Sequence, residues 1–144
     1  MLFRSEIVAS LNEQQGLAMP PEAVALHKES LYYELLPELT AVPDVLHYIE
    51  DGRDRIPMAV VSGGTVATVT ASLTTLGLLG EFDAMVCAGD YARAKPEPDA
   101  YLLAAQRLDV PPESCLVFEN TEMGIHAATA AGMASVRVLP PWER

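Results

Sequence analysis

From Met58 onward the chain alternates short apolar runs with segments of helical period, and that alternation narrows the choice of folds sharply. The apolar runs Met58–Val61, Asp83–Ala88, Cys115–Phe118 and Ala134–Leu139 read as strands. The middle two are nearly continuous, as in a strand covered on both faces. Between them lie helical segments over Val66–Leu76, Asp99–Leu108 and Met123–Ala131. In the first, Val66, Val69, Leu73 and Leu76 form one face and Gly77 stops the helix. In the second, Pro98 suits the first helical position, and Asp99 behind it favours the positive end of the helix. In the third, Gly132 fits the C-terminal cap. Strand and helix in strict alternation imply right-handed crossovers and a parallel sheet, hence an α/β fold. Such sheets bind ligands beyond the carboxyl ends of their strands, so the informative loops follow Val61, Ala88 and Phe118.

Upstream the character changes near residue 42. Glu6–Leu39 reads as helix, broken by Pro20 and Pro21 and limited by Pro37. Val24, His27, Leu31 and Leu35 recur at helical spacing, with Lys28 and Glu29 expected to turn outward. Pro43 opens a further short helix carrying Val45, Leu46 and Ile49, ending in a turn at Asp51-Gly52.

Composition closes off other classes. At 144 residues the chain suits one domain. A formal net charge of −11 argues against a nucleic-acid surface. No apolar run approaches the roughly 18 residues of a membrane span, and no secretory signal is visible, so a cytoplasmic setting is expected. Cys87 and Cys115 lack metal spacing and read as small core residues. His27, His47 and His126 lack ligand spacing, Tyr32, Tyr33 and Tyr48 read as packing residues, and Trp142 is expected to cap an apolar edge.

Each loop of interest has a functional and a bland reading. Ser62-Gly63-Gly64-Thr65 offers a hydroxyl, two flexible glycines and the free N–H groups of a helix start, which together cradle an anion; the alternative is a turn with Thr65 as N-cap. Lys95-Pro96-Glu97-Pro98 stiffens the backbone beyond a lysine that can neutralise phosphate charge; the alternative is a solvated lysine before a helix. Glu119-Asn120 places two oxygen-bearing side chains where a hard cation such as Mg²⁺ binds; the alternative is a turn or cap. Phosphate with a divalent metal is the ligand all three loops would share.

Ser62-Gly63, Lys95-Pro96-Glu97-Pro98 and the run from Leu116 to Met133 resemble the second, third and fourth motifs of the haloacid-dehalogenase-like (HAD) hydrolases, in order and on the corresponding elements. The likeness is strongest to the branch of sugar-phosphate phosphatases and β-phosphoglucomutases with a helical cap. It implies a three-layer Rossmann-like parallel sheet and a Mg²⁺-dependent hydrolase of a small phosphorylated metabolite. Ser62 and the Gly63 N–H would bind a phosphoryl oxygen. Lys95 would stabilise phosphoryl charge, and Glu119 and Asn120 would orient Mg²⁺. In the family an aspartate attacks phosphorus, forming an aspartyl-phosphate that water hydrolyses, and a second acid serves as general acid and base.

The family's first motif, an apolar strand ending in Asp-x-Asp-Gly-Thr, has no counterpart in these residues. Asp51 and Asp54 have the wrong spacing and read as turn residues. The resemblance places the missing strand at the sheet's centre, between those ending at Val61 and Phe118. Those two strands are then expected either to pair directly or to leave a fragment of marginal stability. Residues 1–5 are expected to be a non-native leader, because Met1-Leu2-Phe3-Arg4-Ser5 matches translated sequencing-adapter DNA. Residues 6–42 would be a partial helical cap and residues 43–144 the core of an N-terminally truncated fragment with negligible turnover. Asn120 stands where the family usually has aspartate, so weaker metal binding is expected, with Asn120→Asp as its test. The alternatives are a non-catalytic phosphate- or metal-binding remnant, one part of a two-chain assembly, a mutase-type phosphoryl transfer, and a flavodoxin-like binding module.

Overall fold

The computed structural model describes residues 3–139. Trp142 and the first two residues of the expected leader lie outside them. Helices α1 (Phe3–Gln15) and α2 (Pro21–Leu35) come first, then α3 (Pro43–Gly52). There follow β1 (Ala59–Val61), α4 (Val66–Thr75), β2 (Ala84–Val86), α5 (Asp99–Leu108), β3 (Leu116–Glu119), α6 (Glu122–Ala130) and β4 (Ala134–Arg137). Every strand and helix expected from the sequence is present; β1, β2 and β4 are shorter than expected, and β3 keeps its expected length one residue later. β2 ends early because the Cys87 N–H donates to the Asp90 carboxylate at 2.9 Å instead of to the ladder. Gly77 and Gly132 take φ of +69° and +76° just past their helices, the left-handed region that glycine enters at little cost.

All pairing is parallel, but it is divided. β1 pairs with β2, and β3 with β4, as two separate two-stranded sheets. β1 and β3, which the resemblance sets on either side of a further strand, do not pair with each other among the described residues. Helices bridge them instead. On one face α5 sends Ala100 and Ala104 against Val86 of β2, and Tyr101 and Ala105 against Val117 of β3. On the other, Leu46 and Ile49 of α3 join the cluster around Val69 and Leu73, while Tyr48 of the same helix lies 5.0 Å from the Phe118 ring of β3. Successive strand residues serve opposite layers: Val60, Met85 and Cys87 face α4, whereas Ala59, Val61 and Val86 face α5. This gives three layers.

Several expected faces differ. Val66 of the expected α4 face is exposed, whereas Val69 and Leu73 of that face are buried. Leu116 is also exposed, so β3 is not covered on both faces along its whole length. Pro98 sits one position earlier than expected, as the N-cap of α5. Asp51 and Gly52 close α3 as its last residues. The largest departure is α2. Leu31 and Leu35 are exposed and no residue of α2 is fully buried. Glu29, expected to face solvent, instead accepts a hydrogen bond from Thr68 Oγ1 of α4 at 3.0 Å. Tyr32 shares a 2.8 Å hydrogen bond with Ser72 Oγ. The core offers α2 a polar row of hydroxyls, so the polar face of α2 is the one that docks. Asn12 clamps the α1–α2 connection, donating to the Met19 carbonyl and accepting from its N–H.

Candidate functional site

The carboxyl ends of β1, β2 and β3 bring the three loops together. After β1, the Ser62 hydroxyl accepts from the Gly64 N–H at 3.0 Å, and Thr65 caps α4 by accepting from the Thr68 N–H at 3.2 Å. The turn-and-cap reading of this loop is thus realised. It leaves the Ser62 hydroxyl proton free to donate and Gly63 exposed. The Tyr91 hydroxyl fixes the loop from the side by donating to the Ser62 carbonyl at 3.4 Å.

Lys95 is no solvated lysine. Its side chain is 19 % exposed and its ammonium lies 2.5 Å from Glu119 Oε1. The loop that carries it is braced by Arg93, which pairs with Asp99 at 2.7 Å and with Glu97 at 3.0 Å. Farther back, Arg107 pairs with Asp90 at 3.1 Å and holds that carboxyl below its usual range.

Glu119, at the end of β3, is 9 % exposed. Its Oε1 accepts from Lys95 and, at 3.3 Å, from the Tyr101 hydroxyl. Its Oε2 accepts from the Thr121 N–H at 2.7 Å and the Thr121 hydroxyl at 2.9 Å. Burial works to raise the carboxyl's pKa, but the Lys95 and Thr121 donors outweigh it and hold the group below its ordinary value. Gly124, on the first turn of α6, leaves the room this carboxylate occupies. A Cβ there would collide with the Glu119 Cγ, Cδ and Oε1 atoms.

Ser62, Gly63, Lys95 and Tyr91 line one cavity of about 960 Å³, roofed by Glu29 and Tyr32 of α2. Glu119 reaches it only through Lys95, and Asn120 is exposed outside its lining. Sequence reasoning missed Tyr101, Gly124 and the inward side of α2. Only the tyrosine's apolar helix position hinted at burial, and nothing hinted at its partner. The three histidines are exposed, Cys87 is fully buried and Cys115 half-buried. Tyr32 and Tyr33 pack edge to face and remain 36 % and 39 % exposed.

A carboxylate offers about four acceptor directions, and all four at Glu119 are taken. Asn120 adds one neutral amide. Among the described residues no group of three His, Cys, Asp or Glu is placed to hold a metal ion. The donor set as it stands does not fit Mg²⁺, which demands near-octahedral oxygen ligation with carboxylates free to reach it. No helix among the described residues is long and apolar enough to cross a membrane.

Comparison with known proteins agrees with this architecture. The chain is 39 % identical over 133 residues to fructose-1-phosphate phosphatase YqaB of Escherichia coli K12, covering 92 % of this chain and 70 % of that protein. The structure of CbbY from Rhodobacter sphaeroides in complex with phosphate superposes with a TM-score of 0.83 at 25 % identity, covering 97 % of this chain and 66 % of that one. β-Phosphoglucomutase (pgmB) from Clostridium difficile superposes at 0.81 and 27 % identity, with the same two coverages of 97 % and 66 %. The first curated relatives are matched over 51–70 % of their own length. A family model described as haloacid dehalogenase-like hydrolase matches residues 4–132, and the chain belongs to that family.

Proposed function

We propose that these residues form the phosphoryl-binding side of a phosphoric monoester hydrolase acting on a small sugar phosphate. The convergence of the Ser62 loop and Lys95 on one cavity carries this reading. In it, the Ser62 hydroxyl donates to one phosphoryl oxygen and the exposed Gly63 N–H to another. The Lys95 ammonium neutralises charge on the group, an electrostatic role that strengthens in a site with little water. A cavity near 960 Å³ admits a phosphorylated sugar beneath the polar face of α2. The phosphatase named among the relatives supports the substrate class.

No carboxylate among the 144 residues matches the attacking aspartate of the resembled first motif, so these residues alone are expected to bind phosphate without turnover. The family resemblance would put Mg²⁺ at Glu119 and Asn120, a donor set that does not fit it. No step is derived through it, since the acceptors of Glu119 are already engaged. Mutase-type phosphoryl transfer is the second reading, favoured by the likeness to the Clostridium difficile enzyme.

Titration with inorganic phosphate, followed by calorimetry, tests the proposal. Lys95→Met is expected to weaken binding about tenfold or more, the loss of one charge-assisted contact. Equal affinity in the variant, or no binding by the parent chain, refutes it.

A further inference from the structure

Tyr101 touches both members of the lysine–carboxylate pair, and no motif of the sequence accounts for it. Its side chain rises from α5 and is 4 % exposed. The hydroxyl donates at 3.3 Å to Glu119 Oε1, the same oxygen that accepts from Lys95 at 2.5 Å. The ring face lies under the ammonium, with Nζ 4.7 Å from the centroid. Burial first, and the Glu119 charge next, push the phenol well above its ordinary pKa.

We propose that Tyr101 is the positioning residue of this site: its ring and hydroxyl hold Lys95 and Glu119 as one unit and let the ammonium turn from the carboxylate to a phosphoryl oxygen. The inference rests on the phosphoryl-binding reading above. A lysine that leaves a buried carboxylate strands a charge, and stranding a charge is expensive. Here Oε1 keeps the Tyr101 hydroxyl and Oε2 keeps both Thr121 donors, so the carboxylate remains supported. The aromatic face meanwhile attracts the cation whichever anion it points to. Phenylalanine preserves the ring contact and removes the hydroxyl. Leucine removes both.

The test compares the parent chain with Tyr101→Phe and Tyr101→Leu by two readouts. The first is the NMR shift of the Lys95 ε-methylene protons without ligand, which a ring beneath the ammonium moves upfield. It is expected upfield in the parent and the Phe variant and at its random-coil position in the Leu variant. The second is affinity for inorganic phosphate, expected to fall about tenfold in the Phe variant and further in the Leu variant. A role in packing alone would leave the Phe variant unchanged, because the ring fills the same space. Equal phosphate affinity in parent and Phe variant overturns the proposal, as does a random-coil Lys95 shift in the parent. Should the Leu variant fail to fold, the Phe variant decides by itself. If the parent binds no phosphate, the phosphoryl-binding reading falls and the turning of the ammonium with it, while the shift still decides whether Tyr101 holds Lys95.

Discussion

Gly124 is a small residue with a large local effect, because the space a side chain would take there is already filled by Glu119. Gly124→Ala forces the carboxylate out of its nest of four donors or pushes the first turn of α6 away from β3. Either response breaks buried hydrogen bonds at a residue that is itself buried. We expect a stability loss of about 1–3 kcal/mol, the usual range for overpacking, read from urea unfolding. A neutral result would show that the carboxylate has a second place to go. In the sequence this glycine looks like any small residue in an Ala-rich helix. Thr121 is different: a hydroxyl just ahead of a helix signals a cap, and it does cap α6 by accepting from the Gly124 N–H at 3.0 Å. Its second task, donating to Glu119 Oε2, has no local signature.

Among the elements, α2 shows how far periodicity reaches. Prolines and the apolar repeat placed the helix correctly, since both act within a turn or two of the chain. They did not identify its docked face. That face is set by Thr68 and Ser72 of α4, whose hydroxyls select Glu29 and Tyr32 over Leu31 and Leu35. Thr68→Val keeps the shape and removes the hydroxyl. The expected cost is about 0.5–1.5 kcal/mol for a hydrogen bond lost, felt mainly as looser attachment of α2. Limited proteolysis should then cut between residues 16 and 38 faster than in the parent, with the core fragment surviving. Unaltered cleavage rates would mean that packing between α1 and α2, not the tie to α4, holds this pair in place.

For the whole molecule, the ion pair between Lys95 and Glu119 is also a tie between the two sheets. Lys95 follows β2 and Glu119 ends β3, and β1 and β3 share no ladder. Because the folded protein holds the Glu119 carboxyl below its ordinary value of 4.5, the pair contributes stability in full above that value. The contribution is lost as pH falls through the lower, folded value. Thermal melts should therefore drop in midpoint from about pH 4.5 downward, and Lys95→Met should flatten that dependence. A midpoint as steep in the variant as in the parent would refute the tie. The order of strands and helices, their punctuation by proline and glycine, and the three loops at the strand ends were all legible in the sequence by itself. Each depends on residues a few positions apart, where backbone preference and apolar period operate. Tertiary structure alone decided that the sheet is divided, that α2 docks by its polar face, and that Glu119 has no acceptor left to offer. The donors on Oε1 come from 24 and 18 residues away, and only the fold brings such groups within hydrogen-bonding distance of one oxygen.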